Sequence, residues 1–157
     1  MTYAPAADAN VKSTSPTKNY GTATTLRLRN GAADSSDTYK SYLRFKVDDI
    51  MGTVTSAKLR LYVTDGSKAG GSVFPTSAGW TETGITYANA PADPTGPPLA
   101  TLPSAAINSW VEYDVTKAVT TEGDYAFMLN NTLADSLTFS SREGPAAQAP
   151  QLVVTHN

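Results

Sequence analysis

The sequence predicts an all-β fold, an antiparallel β-sandwich of jelly-roll type with about eight or nine strands. Three observations carry this expectation. Apolar and polar residues alternate with a period of two in short runs from one end of the chain to the other. Clusters of Gly, Asn, Asp and Pro separate those runs, where tight connections need them. Charged residues make up only 17% of the 157 residues, a poor match to a helical bundle, while Thr, Ser, Ala, Gly and Pro are plentiful.

Taken in order, strands are expected at 9–12, at "LRLRN" (26–30), "YLRFKV" (42–47), "AKLRLYV" (57–63) and 72–74. Further strands are expected at "WVEYDV" (110–115), "YAFMLN" (125–130), "LTFSS" (137–141) and "QLVVT" (151–155). The segments "NYG", "NGAADSSD", "DDIMG", "TDGSKAGG" and "EGPAAQAP" supply the turns. One helical stretch of a turn or two is expected at "VTKAVTTEG" (115–123), closed by Gly123. The longest irregular segment runs from 77 to about 106 and holds "GWTETGITYANAPADPTGPP". A loop of that length either carries function or packs across one end of the sheets. No repeat or linker divides the chain, so residues 1–157 are read as a single module, long enough to bury its own core. The start, "MTYAPAADANV", reads as a module cut from a longer chain.

Composition excludes several classes of function. With no cysteine there is no disulfide, no zinc–thiolate site and no cysteine nucleophile. A net charge of −2 gives the whole molecule no pull on nucleic acid or on an anionic membrane, and no stretch is apolar for long enough to span a bilayer. The single histidine, His156, is the penultimate residue, a poor place for a general base. No nucleophile elbow, zinc-binding histidine pair or phosphate loop is present. Glu82 with Glu143 or Asp114 is the nearest approach to a glycosidase pair, and nothing in the spacing sets their separation. The chain is therefore read as non-catalytic.

The alternation also places the charges. In "TLRLRNG", Leu26 and Leu28 face the core while Arg27 and Arg29 face outward. In "YLRFKV", Leu43, Phe45 and Val47 point in while Tyr42, Arg44 and Lys46 point out, with Lys40 in phase. In "AKLRLYV", Lys58, Arg60 and Tyr62 point out. Seven of the twelve basic residues thus lie between 27 and 60 on outward faces. Same-face neighbours on a strand stand roughly 7 Å apart and strands about 4.8 Å apart. That pitch suits a polymer of regularly spaced carboxylates or sulfates, with arginine forks pairing bidentately. The plainer reading, cations that keep a sheet soluble, competes with it, as does a split of the seven over two outer faces. Arg142 in "SREGP" is a candidate to complete the patch. Trp80, Tyr87 and Trp110 are candidate stacking platforms, Trp80 being taken as a ligand contact. For a structural calcium ion the expected oxygen donors are Asp8 and Asp114, with Asn10 or turn carbonyls; no other cofactor is expected.

"KSYLRF", "TSAKLRLYV" and "WTETGITY" in that order, within "ADANV…NYG…LRLRN" and "WVEYDVTKAV…FSSREG…APQLVV", resemble the disaggregatase-related repeat (DNRLRE) domain, family 96 of carbohydrate-binding modules. The resemblance runs from about Asp8 to Thr155. It implies a non-catalytic β-sandwich attached to a secreted bacterial polysaccharide-degrading enzyme, with alginate as ligand. The expectation is therefore a secreted, monomeric module for an acidic polysaccharide, covalently linked to a catalytic domain. Its binding residues would be Arg27, Arg29, Lys40, Tyr42, Arg44, Lys46, Arg142 and Trp80. The alternative is a structural or adhesive sandwich of a bacterial surface protein without a glycan ligand.

Overall fold

The computed structural model describes residues 1–157, the side chain of Ala33 excepted. Its strands are β1 (Thr2–Tyr3), β2 (Ala7–Lys12), β3 (Thr25–Leu28), β4 (Tyr39–Val47), β5 (Val54–Asp65), β6 (Ser72–Thr76), β7 (Ala100–Thr101), β8 (Trp110–Asp114), β9 (Gly123–Asn130), β10 (Leu137–Ser140) and β11 (Gln151–His156). All nine expected strands are present; β1 and β7, two residues each, are too short to show a period. The stretch expected to be helical is a single turn instead. The amides of Ala118 and Val119 both bond to the Val115 carbonyl, and Gly123, at φ +154°, opens β9.

Two antiparallel sheets form the sandwich. The six-stranded sheet runs β1-β11-β5-β10-β3, with β8 also paired to β5; the five-stranded sheet runs β2-β4-β9-β6-β7. The alternating apolar residues meet between them: Leu26, Leu28, Leu43, Phe45, Leu59, Leu61, Phe127 and Phe139 belong to one buried cluster, each at most 1% exposed. Tyr113, also in that cluster, satisfies its hydroxyl by donating to the Gly70 carbonyl at 2.6 Å.

A third layer departs from the simple sandwich. Ala7, Ala9, Val11, Tyr42, Ala126 and Met128 lie on the outer face of the five-stranded sheet, where alternation alone would place them in solvent. The long loop after β6 folds back over them and buries Trp80 and Ile85 against that face, with Ala78, Tyr87 and Ala90 packed around. The loop is braced from the "NYG" turn. Asn19 Nδ2 donates to the carbonyls of Glu82 and Ile85, each at 2.8 Å, while its Oδ1 accepts from the Gly21 amide at 2.9 Å. The outward, solvent-facing position expected for Tyr42 is thus corrected. Tyr42 is 1% exposed, edge-on to Trp80 at 6.1 Å between ring centroids.

Candidate functional site

The seven outward cations do not form one lattice. β3 and β5 belong to the six-stranded sheet and β4 to the other, so Arg27, Lys58 and Arg60 sit on a different sheet from Lys40, Arg44 and Lys46. Most are also paired within the chain. Arg29 donates from Nη2 to Asp34 at 2.9 Å and from Nε to the Ala134 carbonyl at 2.7 Å. Lys40 meets Asp93 at 2.6 Å, Lys58 meets Asp114 at 2.8 Å and Arg60 meets Glu112 at 3.0 Å. Of the seven, Arg27 and Lys46 are the exposed ones, and neither has an ion-pair partner among the described residues.

Arg44 has a structural task. Its Nη1 donates to the carbonyls of Ala78, at 3.1 Å, and Trp80, and its guanidinium lies 5.3 Å from the Trp80 ring centroid. It therefore clamps the loop onto the sheet. Trp80, expected as a stacking platform, is 7% exposed and packed into the second core, below a groove that it helps to line. That groove, of about 550 Å³, is walled by Ser77, Gly79, Trp80, Thr81, Gly84, Ile85, Asn89, Pro91 and Ala92 and carries no charged side chain.

Cations and aromatics do meet on the flank where the edge strands β2 and β3 run side by side. Lys12 and Tyr39 are direct cross-strand partners, and Arg29 bridges to Tyr39 from the other sheet. Arg27 lies 4.8 Å from the Tyr39 ring centroid and Lys12 5.8 Å from it, a cation over each approach to one ring. On the opposite face of β4, Lys40 lies 5.2 Å from the Tyr87 ring. There Lys40, Tyr42, Tyr87 and Asp93 help to wall a second pocket of about 230 Å³.

The match of the chain to one family says what kind of module this is. A family model, described as carbohydrate-binding module family 96, matches residues 1–156. The chain belongs to that family. No curated protein matches it.

Half-buried aromatic and cationic side chains meet in a second place as well. On the outer face of the six-stranded sheet, Tyr62 and Trp110 are cross-strand partners with ring centroids 5.5 Å apart. Arg60 lies 4.8 Å from the Trp110 ring and donates to Gln151 Oε1 at 2.8 Å. Sequence reading raised Trp110 as a platform but had no register to set Arg60 beside it. Tyr39 was missed altogether, because it takes an inward phase in β4 and reaches solvent only at the open flank.

The acidic residues assort differently from expectation. Asp8 is buried in the edge strand β2, and its neighbours are Glu82 from the loop and Glu143 beyond β10; one oxygen of each lies within 4.8 Å of the others. Arg142 Nη1 donates to both Glu82 oxygens, at 3.1 and 3.0 Å, so its charge is engaged there. Asp114, expected beside Asp8, is instead on β8 of the other sheet. There it bonds Lys58 and Thr116, which hold its carboxyl well below the usual range. The register that pairs Lys58 with Asp114 separates the two expected donors.

Proposed function

We propose that the module binds an acidic polysaccharide, alginate foremost, along the flank formed by β2 and β3, and that it does so without catalysis, as the targeting part of a secreted polysaccharide-degrading enzyme. The observation that supports this best is the seating of Arg27 and Lys12 over the one Tyr39 ring on an open edge. A uronate offers carboxylates for the arginine fork and the lysine, which the Tyr39 ring holds in place beside each other. Lys40 over Tyr87, at the rim of the smaller pocket, would repeat the arrangement on the outer face. The intramolecular partners of Lys12 and Lys40 are aspartates whose side chains are 31% and 65% exposed. Such pairs contribute only about 0–1 kcal/mol each, so a polymer carboxylate can replace them at little cost.

The test is a titration with alginate oligomers at low and high salt, with a neutral glucan alongside. Arg27→Ala should weaken alginate retention while leaving the melting temperature unchanged, Tyr39→Ala should weaken it with some loss of stability because its ring is half-buried, and salt should weaken the wild type. Equal binding of the neutral glucan, or indifference to salt, refutes charge pairing. The Tyr62–Trp110 pair supports a second reading, with the glycan on the open face of the six-stranded sheet. Loss of binding in Trp110→Ala with Arg27→Ala unaffected would move the site there. Absence of binding to every acidic glycan would leave the structural or adhesive alternative. Unsaturated products on incubation with alginate would refute the non-catalytic reading.

A further inference from the structure

The trio Asp8, Glu82 and Glu143 lines neither the groove nor the smaller pocket, and none of the three pairs with Lys12, Arg27 or Lys40. Its members come from three separate parts of the fold: edge strand β2, the long loop, and the segment after β10. Donors reach most of the oxygens. The Asp8 amide donates to Glu82 Oε1 at 3.1 Å, the Arg142 amide to Asp8 Oδ2 at 2.8 Å, and Ser141 Oγ to Glu143 Oε2 at 3.2 Å. Among the described residues no backbone amide, hydroxyl or cationic group donates to Asp8 Oδ1, although Asp8 is only 1% exposed. A buried carboxylate oxygen that no protein donor reaches is costly unless a cation or a proton meets it.

Charge makes the same point independently. Three carboxylates face one guanidinium, that of Arg142, which is committed to Glu82. The cluster as it stands is short of positive charge.

We propose that Asp8, Glu82 and Glu143 form a site for one calcium-sized divalent cation, which ties the long loop to β2 and to the segment after β10. The donors are all carboxylate oxygens, the hard ligands that calcium takes. Oxygens on opposite sides of a calcium ion stand about 4.6–5.2 Å apart, and those across magnesium about 4.0–4.2 Å. The three oxygens here lie within 4.8 Å of one another, close enough to share one such ion. The cation would occupy the side of Asp8 that lacks a donor and would fix Glu82, hence the loop that carries Trp80 and Ile85.

The test uses the whole module, stripped with chelator and titrated with calcium or magnesium chloride by calorimetry and by thermal unfolding, with no glycan present. Its outcome is therefore separate from that of the glycan titration. Expected are one calcium per chain with a Kd of about 10⁻³ M or tighter, the range of extracellular modules, a higher melting temperature with calcium, and a weaker response to magnesium. Glu143→Gln should weaken calcium at least tenfold, yet melt no lower than wild type in chelator, because it removes a repelling charge. Asp8→Asn should abolish the response. Glu112→Gln, on the outer face of the other sheet, should leave it unchanged. No heat and no thermal shift up to about 10 mM calcium, a concentration well above that range, overturns the proposal. So does a Glu143→Gln variant that titrates like wild type. An equal response to magnesium overturns the choice of cation.

Discussion

Trp80 separates two accounts of the long loop, and its replacement by alanine decides between them. In the structure Trp80 is 7% exposed, packs edge-on to Tyr42 and lies under the guanidinium of Arg44. A tryptophan side chain buries about 150–250 Å², which at roughly 25 cal/mol per Å² amounts to about 4–6 kcal/mol of transfer free energy. Alanine keeps one methyl group of that, and the usual cost of truncating a core tryptophan is about 3–5 kcal/mol. At about 2–4 °C per kcal/mol for a chain of this size, Trp80→Ala should lower the melting temperature by roughly 6–20 °C. Trp80→Phe should do much less, within about 1.5 kcal/mol of wild type, because it keeps a packed ring. It also deletes the indole Nε1, which is buried without a hydrogen-bond partner. Differential scanning calorimetry measures both. If Trp80→Ala melts within a degree or two of wild type yet loses alginate affinity, the ring is a ligand platform and the loop is not anchored as described.

The other predictions concern the supports around that loop and the surface charges. Arg44→Met keeps the aliphatic stem but leaves the carbonyls of Ala78 and Trp80 unpaired. It should cost about 1.5–3 kcal/mol in urea unfolding and speed amide exchange across residues 77–90. Gly21→Ala drives a Cβ into the backbone carbonyl of Glu82 and should destabilise by about 1–3 kcal/mol, read as a lower melting temperature. The Lys58 and Thr116 bonds hold the Asp114 carboxyl well below its ordinary value of 3.8, so the stabilisation they give is present above that pH and is lost as pH falls through the lower folded value. Both partners are more than a third exposed, so the effect is small; the gap in melting temperature between wild type and Asp114→Asn should be widest near neutrality and close in acid. Asp93→Asn releases Lys40 from its partner and should tighten alginate binding at low salt, as measured by calorimetry.

The fold was legible because its strands are short, alternating and punctuated by turn residues. Leu26, Leu28, Leu59, Leu61, Phe45 and Phe139 all point inward as their phase requires. The faces were legible too, but facing outward did not mean facing water. "YAFMLN" holds Ala126, Phe127, Met128 and Leu129 in succession, all four buried. A strand apolar in both phases is covered on both sides, and that signal was present in the sequence. What the sequence does not contain is the identity of the cover. Docking Trp80 and Ile85 on Tyr42 depends on tertiary contacts between residues about 40 positions apart. The ion pairs fail to show for a related reason. Lys58 faces Asp114, and Arg60 faces Glu112, only once β5 and β8 are in register. Asp8 and Glu143 meet only when β2 lies against the segment after β10.

Those pairs change what recognition of an acidic polymer would involve. With a net charge of −2 and most of its outward cations already paired, the module offers no large field to draw in a polyanion. On the proposed reading, a uronate carboxylate reaching Lys12, Arg29 or Lys40 displaces an aspartate, and the exchange of one exposed pair for another is close to neutral. The net gain then rests on Arg27, which is unpaired, and on ring contacts to Tyr39 and Tyr87. Salt acts on both sides of each exchange, since at physiological ionic strength screening reaches about 8 Å and loosens the internal pairs along with the external ones. The salt dependence should therefore reflect the one or two unpaired cations rather than all those on the flank. A steep dependence, of the size expected for four or more newly neutralised charges, would mean that the internal pairs are not formed in solution.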